Sequence, residues 1–593
     1  ISNKGNISFK GNSLAAGDNN YGIWIINKST VQSTEGSISL TGISKGTGNN
    51  NDGINIKDTS TVQSIGAGSI TLDGTSGNGI VNSTGISISN STVRSAEGNI
   101  TLTGTSKGTG DGNDGILFLN SALGVPTTTI QATGKGNISL QGSVNNNGIP
   151  INLTDGVIDA ALGGSVTLTG DEIQLLGTQV TGKGTITLQP LTPDLGITIG
   201  GTQNDAKAPL NLIQTEIDTL KSFSQMVIGR TDGTGKVVVD PAGIIFNFPV
   251  TIQAPTIAVN GNITGLNKAS ITFNAPTTNL NANIGTNEQN INFGGNVSLA
   301  TGSKVVLDTG LANAGDINFG GKVDGDGKLI LNAGTGVINI NAPIGGDVPL
   351  GSLTASSAIN VGSPIDFSIK TTGDINVSSM KNPGQAIALT STNGNINMSV
   401  GTIETKSNTG NGGQITLTGN KITAGNLNSS STDGKGGNIT LTGKTDKVVA
   451  AAGLVVWNSS STFGAAGDST IATPNQVGIN SIDAKGLPGT GNITIIGNEI
   501  GVYPDGLLKS QGTLSIQPFS PDFGINFKLG PDDDLKAIDL GQPFLKSLAD
   551  GFSGIVFGGE TTTGNITVEN LPIVFKDPVT FNTQGKISVN PNQ

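Results

Sequence analysis

Gly98-Asn-Ile-Thr-Leu-Thr-Gly104 is one copy of a phrase that decides how this chain folds. Gly36-Ser-Ile-Ser-Leu-Thr-Gly42, Gly68-Ser-Ile-Thr-Leu-Asp-Gly74, Gly413-Gln-Ile-Thr-Leu-Thr-Gly419 and Gly437-Asn-Ile-Thr-Leu-Thr-Gly443 repeat it. Each copy sets two aliphatics two residues apart, with Ser or Thr between them and Gly at both ends. Such period-2 alternation between breakers predicts a half-buried β-strand. A strand returning at a near-fixed interval predicts a solenoid.

Working outward from the phrase, repeat starts fall at Gly5, Gly36, Gly68, Gly98, Gly136 and Gly164. Aliphatic columns align across them. Ile7, Ile38, Ile70, Ile100, Ile138 and Val166 form one, and Phe9, Leu40, Leu72, Leu102, Leu140 and Leu168 another. A second strand carries Ile23, Ile54, Ile86 and Ile116, then Ile25, Ile56, Ile88 and Phe118; a third carries Val31, Val62, Val93 and Ile130. Turn formers Asn27, Asp58 and Asn90 stand at the corners. The expected fold is therefore all-β, a right-handed parallel β-helix with three strands per coil. At about 22 residues per coil the chain would make roughly 27 coils, or about 130 Å at the inter-strand spacing.

Composition agrees with one elongated array. Glycine is 91 of 593 residues and charged residues are only 12%. Aromatics, at 4%, are too few to fill a large globular core. A net charge of −11 and a pI near 4.6 disfavour nucleic-acid or anionic-membrane partners. No Cys is present, so disulfides and thiolate metal sites are excluded, and with no His the commonest general base is missing. The longest apolar run, Val448 to Trp457, is too short to cross a membrane as a helix. Ile1 begins in mid-pattern with no signal peptide, which reads as a mature chain or a fragment.

The chain divides by pattern into coils of about 30 residues (1–163), a decorated block (164–260), further coils (261–490) and a second decorated block (491–593). The blocks are duplicates: Thr185-Ile-Thr-Leu-Gln-Pro-Leu-Thr-Pro-Asp-Leu-Gly196 matches Thr513-Leu-Ser-Ile-Gln-Pro-Phe-Ser-Pro-Asp-Phe-Gly524, an offset of 328. Gly170-Asp-Glu-Ile173 likewise matches Gly497-Asn-Glu-Ile500. Within block 1, residues 213, 217, 220 and 223 have helical spacing, which predicts a short helix over Leu212 to Phe223; its counterpart runs from Leu540 to Phe552. Apolar stripes recurring once per long unit suit assembly contacts. The residues expected to make them are Leu212, Ile213, Ile217, Leu220, Phe223, Phe544, Leu548 and Phe552. No polar cap is read at either terminus, so end-to-end self-association is expected.

Three runs resemble a known family: Phe319-Gly-Gly-Lys-Val-Asp-Gly325, Leu427-Asn-Ser-Ser-Ser-Thr-Asp-Gly-Lys-Gly-Gly437 with the rung that follows it, and Gln189-Pro-Leu-Thr-Pro193. They are similar to filamentous-haemagglutinin-like large exoproteins of the two-partner-secretion type, especially cyanobacterial ones, and the resemblance extends over nearly the whole chain. It implies a right-handed parallel β-helix, export through an outer-membrane secretion partner, and display on, or release from, a Gram-negative-type cell.

Acidic loops are the first candidates for chemistry. Asp111 with Asp114, Asp324 with Asp326, and Asp532, Asp533 and Asp534 could ligate calcium, which favours clustered carboxylates and carbonyls. No Ca²⁺-binding β-roll repeat or EF-hand loop is present, and Asn/Asp-Gly pairs read more simply as turns. Beyond that weak calcium reading no cofactor is expected. Outward strand positions are mostly Ser, Thr and Asn, without the convergent acids that sugar hydrolysis requires, so no catalytic residue is assigned. Asn-x-Ser/Thr sequons, as at Asn6 and Asn99, fall out of the phrase itself. Trp24 and Trp457 could stack on sugars, although Trp24 reads as a single outward aromatic. The function expected is a non-catalytic extracellular shaft of a surface fibre. An adhesin passenger that binds glycans or neighbouring cells is the alternative, and a polysaccharide-active enzyme the third.

Overall fold

A computed structural model describes residues 1–119, 127–145, 147–160, 162–202, 209–362, 366–398, 401–528, 536–569 and 573–590. Strand accounts for 47% of the chain and helix for 2%, so the decorated blocks are ornaments on a β fold. The fold is a parallel β-helix, and its strands stack in long parallel sheets. The chain divides into two compact units, Ile1–Gly295 and Asn296–Gln593, each holding plain coils and one of the duplicated blocks.

In the first unit each coil lays one strand on each of three faces. Ile7–Ser13, Ile38–Ser44, Ile70–Thr75, Ile100–Ser106 and Ile138–Val144 stack in register on the first face. Thus Ile7, Ile38, Ile70, Ile100 and Ile138 are direct partners, despite steps of 31, 32, 30 and 38 residues. The uneven steps are absorbed in loops outside the core, where insertions cost little. The second face carries Ile23–Ile25, Ile54–Ile56 and Ile86–Ser89; the third carries Thr30–Ser33, Thr61–Ser64 and Thr92–Ser95. Beyond the first coil, inward residues are almost fully buried aliphatics, and outward neighbours are mostly Ser, Thr, Asn and Gln. Asn27, Asp58 and Asn90 adopt left-handed backbone at the predicted corners, with φ of 60°, 61° and 48°.

The Gly that closes each phrase has a steric reason. A β-carbon on Gly42 would sit 2.1 Å from the Gly53 carbonyl oxygen, and Gly74 and Gly104 face Gly85 and Gly115 at the same distance. The first face turns into the second there, and only a residue without a side chain fits.

The polar residue opening each phrase stitches coil to coil. Asn6 Oδ1 accepts the Ser37 N–H, Ser37 Oγ the Ser69 N–H, Ser69 Oγ the Asn99 N–H, and Asn99 Oδ1 the Asn137 N–H. The second unit repeats the device at Asn438, Asp468 and Asn492, each of which accepts a backbone N–H from the coil that follows. Asn411, in the loop before its phrase, accepts the Lys435 N–H in the same way. A backbone donor at the strand entrance is thereby satisfied in each of these coils.

The second unit has the same three-face plan. Its phrase copies Ile415–Gly419 and Ile439–Gly443 pair residue for residue. Trp457 lies wholly inside this unit and donates its indole N–H to the Gly425 carbonyl at 3.1 Å. It is therefore no sugar platform. In Leu454-Val-Val-Trp457 the alternation points 455 and 457 inward and leaves Leu454 and Val456 exposed.

Each block modifies a coil by inserting one strand. In block 1, Ile197–Ile199 pairs in parallel with Val237–Val239 on one side and with the inserted Leu210–Leu212 on the other. In block 2, Gly524–Phe527 does the same with Ile566–Glu569 and the inserted Ala537–Asp539. The partners Ile197 and Leu210 become Ile525 and Ile538, so the offset of 328 holds in space as it does in sequence.

The expected helices are shorter than their apolar spacing suggested. Helix α1 is one turn, Gln214–Ile217, and α2 is Gln542–Ser547, opened by Pro543. Leu212 ends the inserted strand, and Leu220 already pairs with Val180 on the third face. Steps of three and four residues here record inward positions of a strand, a turn and a second strand, not one continuous helix.

Candidate functional site

The residues expected to make assembly contacts do not face outward. Leu212, Ile217, Leu220, Phe223, Phe544 and Phe552 are buried, and Ile213 and Leu548 are half-buried. Phe223 fills the space left by Gly182, where a β-carbon would lie 2.3 Å from the Phe223 Cε1. Phe544 joins an aromatic core containing Phe527, Phe557, Phe575 and Phe581, with ring centroids 4.9–6.5 Å apart. These side chains hold the inserted strand onto the solenoid, and their burial leaves no apolar stripe for a second molecule.

The acidic loops are likewise used within the chain. Asp114 is buried: its Oδ1 accepts the Ile149 N–H at 2.8 Å and its Oδ2 the Asn152 amide at 2.9 Å. Asp324 Oδ1 accepts the Asp347 and Val348 N–H groups, while Asp111 and Asp326 are exposed. Asp532, Asp533 and Asp534 lie outside the described residues. Among the described residues, no three acids converge as a metal site would require.

A buried acid that sequence reading passed over is Asp52, the equivalent of Asp114 two coils earlier. Its Oδ1 accepts the Thr84 N–H at 2.8 Å and its Oδ2 the Asn55 amide at 2.6 Å. Burial pushes its carboxyl up to about 6, against the pull of those hydrogen bonds and of Lys57. Burial raises Asp114 in the same way. The Asn-Asp-Gly sequences at 51–53 and 113–115 are thus inter-coil acceptors at a corner, and reading them as turn formers missed that role.

Trp24 faces outward as expected, but it is not alone. The Tyr21 ring lies 5.0 Å from it, and the Lys57 ammonium sits 5.3 Å from its ring centroid in cation–π geometry.

The two blocks share a clamp that explains their duplicated motif. Asp171, in Gly170-Asp-Glu-Ile173, accepts the Thr192 N–H at 2.7 Å and the Thr192 hydroxyl at 2.6 Å. Asn498, in Gly497-Asn-Glu-Ile500, accepts the Ser520 N–H at 2.9 Å and donates to its hydroxyl at 2.8 Å. Each holds the Pro-x-x-Pro turn against the preceding coil.

Elsewhere the blocks differ. Glu216 of α1 is buried and accepts the Leu175 and Ile213 N–H groups, each at 3.2 Å. At the offset of 328 its place is taken by Phe544. Gly200 and Asn211 are replaced by Lys528 and Asp539, which form a largely buried ion pair at 2.8 Å. The loop Leu175-Leu-Gly-Thr-Gln-Val180 becomes Val502-Tyr-Pro-Asp-Gly-Leu-Leu508, one residue longer.

That longer loop and α2 enclose a groove of about 550 Å³. Tyr503, Pro504, Leu507 and Pro543 give it apolar walls; Asp505, Gln542, Lys546 and Ser547 supply polar groups. The Tyr503-Pro-Asp-Gly506 turn closes with a Gly506 N–H to Tyr503 carbonyl bond of 3.0 Å. Asp505 takes φ +64° there, a left-handed conformation that costs a residue bearing a side chain about 1 kcal/mol. The Tyr503 hydroxyl lies over the outward position of Gly478, 3.4 Å from where a β-carbon would stand. Tyr503 is thus half-exposed, with its hydroxyl end over the sheet.

No family model, curated protein or solved structure matches this chain.

Proposed function

We propose that the chain is a non-catalytic structural protein, the β-helical shaft of an extracellular surface fibre. The observation that carries this reading is the interchangeability of its coils. The same phrase pairs with itself residue for residue in both units, and in most copies its opening polar residue accepts from the following coil. Buried positions serve this stacking, and Leu212, Ile217, Leu220, Phe223, Phe544 and Phe552 of the two blocks turn inward. A coil edge built to receive the same phrase is also complementary to a coil of another copy, which supports self-association. The resemblance to filamentous-haemagglutinin-like exoproteins supports the cell-surface setting and a secretion partner in the outer membrane.

Immunogold electron microscopy of intact producing cells tests this reading. Label along surface filaments is expected; label confined to the cell interior would overturn it. Sedimentation velocity across a hundredfold concentration range tests self-association separately. Growth in size with concentration is expected, and a constant monomer would remove the polymer while leaving the shaft.

A second reading, an adhesin passenger that holds a ligand out on the shaft, is favoured by the groove in block 2. A scaffold of stacked coils needs no such opening, and block 1 is built one residue shorter at the same place.

A further inference from the structure

We infer that the groove between the Tyr503-Pro-Asp-Gly506 turn and α2 is a saccharide-binding site that takes a pyranose di- or trisaccharide. This deepens the adhesin reading and rests on it; the shaft reading stands or falls separately. Three observations converge on a sugar.

The volume of about 550 Å³ lies within the range of small-ligand sites, about 300–1,000 Å³. The apolar surface is one aromatic ring with two prolines and Leu507, a platform for the C–H face of a pyranose. The polar groups are mixed rather than of one kind. Asp505 only accepts, Lys546 only donates, and the Gln542 amide does both. Vicinal sugar hydroxyls also donate and accept, so they match such a mixture; an anion would meet Asp505 and a cation Lys546. Ser547 donates its hydroxyl to the Phe544 carbonyl at 2.6 Å, which leaves its oxygen as a further acceptor.

The duplicate block acts as an internal control. It has Leu176 and Gly177 where block 2 has the Tyr503 turn, and a single-turn helix where block 2 has α2. The groove is thus a local departure from a shared plan: the left-handed turn position is common to both blocks, but block 1 fills it with Gly177 at φ +68° and block 2 with Asp505, whose carboxylate faces the groove's rim.

Saturation-transfer NMR on the full chain, with cellobiose, maltotriose and xylotriose as probes and a decaproline peptide for comparison, tests the assignment. Transfer to at least one saccharide is expected. Tyr503→Ala should weaken it about tenfold or more, Lys546→Met less, and Tyr503→Phe should keep most of it, since only the ring face is retained. Circular dichroism of each variant confirms that the coil fold is intact. Transfer to no saccharide overturns the inference, as does saccharide binding that Tyr503→Ala leaves unchanged. Transfer to the peptide alone also overturns it, by making the groove a polyproline site. None of these results bears on surface filaments, so failure of the site and failure of the shaft are distinguishable.

Discussion

The two duplicated blocks carry the same inserted strand at the same offset, yet they stabilise it by different chemistry. Block 1 buries a carboxylate, Glu216, and gives it two backbone donors; block 2 buries Phe544 against Phe557, at the edge of a cluster of four rings. Block 1 has Gly200 and Asn211 where block 2 pairs Lys528 with Asp539. Backbone pairing fixes where the inserted strand lies, through Ile197 with Leu210 and Ile525 with Ile538. The side chains beneath it can then be polar or aromatic. What differs outside follows from this freedom: one extra residue and a longer helix open a groove in block 2.

Exchanging the buried partners should break the comparison most sharply. Phe544→Glu places a carboxylate among rings that offer no donors, and a loss of about 3–5 kcal/mol is expected by urea unfolding. Glu216→Ala, which leaves two buried N–H groups without acceptors, should cost about 2 kcal/mol. If Phe544→Glu costs less than Glu216→Ala, the blocks do not hold their strands by separate, self-contained chemistries.

Asp539→Ala removes the carboxylate 2.8 Å from the Lys528 ammonium. A loss of about 2–3 kcal/mol is expected, smaller than for a fully enclosed pair because Lys528 retains some exposure. Asn211→Ala at the equivalent position in block 1 should cost less. Thermal melts of the two variants side by side would show it.

The plain coils supply a third comparison, between an acid that has donors and one that is still too deeply buried. Asp52 in the fold is raised from 3.8 to about 6, so between those values the folded chain holds a proton that the unfolded chain has lost. Stability from this group is therefore full below about pH 4 and declines as pH rises to about 6, then levels off. Asp52→Asn should remove that slope and raise stability at pH 7 by about 1–2 kcal/mol. The amide would keep an oxygen for the Thr84 N–H and offer a donor to Asn55 Oδ1, a buried atom with no hydrogen-bond partner. Unfolding midpoints of both proteins from pH 4 to 7 check this.

The smallest effect is expected at the surface. Trp24→Ala should change stability by about 0.5 kcal/mol or less, because the ring is half exposed and packs at the surface beside Tyr21 and Lys57. Trp457→Ala, by contrast, would open a cavity.

Much of this was legible in the sequence because the coil repeats itself. Every aliphatic column read across the phrase copies is a ladder of direct partners, and the left-handed corners at Asn27, Asp58 and Asn90 were marked by residue type. Duplication of the blocks was equally plain. The helices were over-read because Ile213, Ile217, Leu220 and Phe223 are spaced as a helix would be, while a turn followed by a strand produces nearly the same steps. Trp457 was misplaced because an unbroken apolar run hides which residues alternate inward. The acceptor role of Asn6, Asn99 and Asp52 was hidden: Asn6 and Asn99 read only as sequons produced by the phrase, Asp52 only as part of an Asp-Gly turn, and their partners lie about 30 residues away. The groove left one signal, the single extra residue in Tyr503-Pro-Asp-Gly-Leu507, visible only against its duplicate.

The central claim is that successive phrase copies lie directly over one another. The absence of native cysteine allows a clean test. Thr416 and Thr440 are outward-facing partners in neighbouring coils, whereas Thr442 stands two residues further along the strand. Mild oxidation of Thr416→Cys/Thr440→Cys should give a rapid intramolecular disulfide, since stacked strands bring the two Cα atoms about 5 Å apart. Thr416→Cys/Thr442→Cys, displaced by about a further 7 Å along the strand, should stay reduced. Equal cross-linking of both pairs, or closure of the displaced pair alone, would contradict the in-register coil.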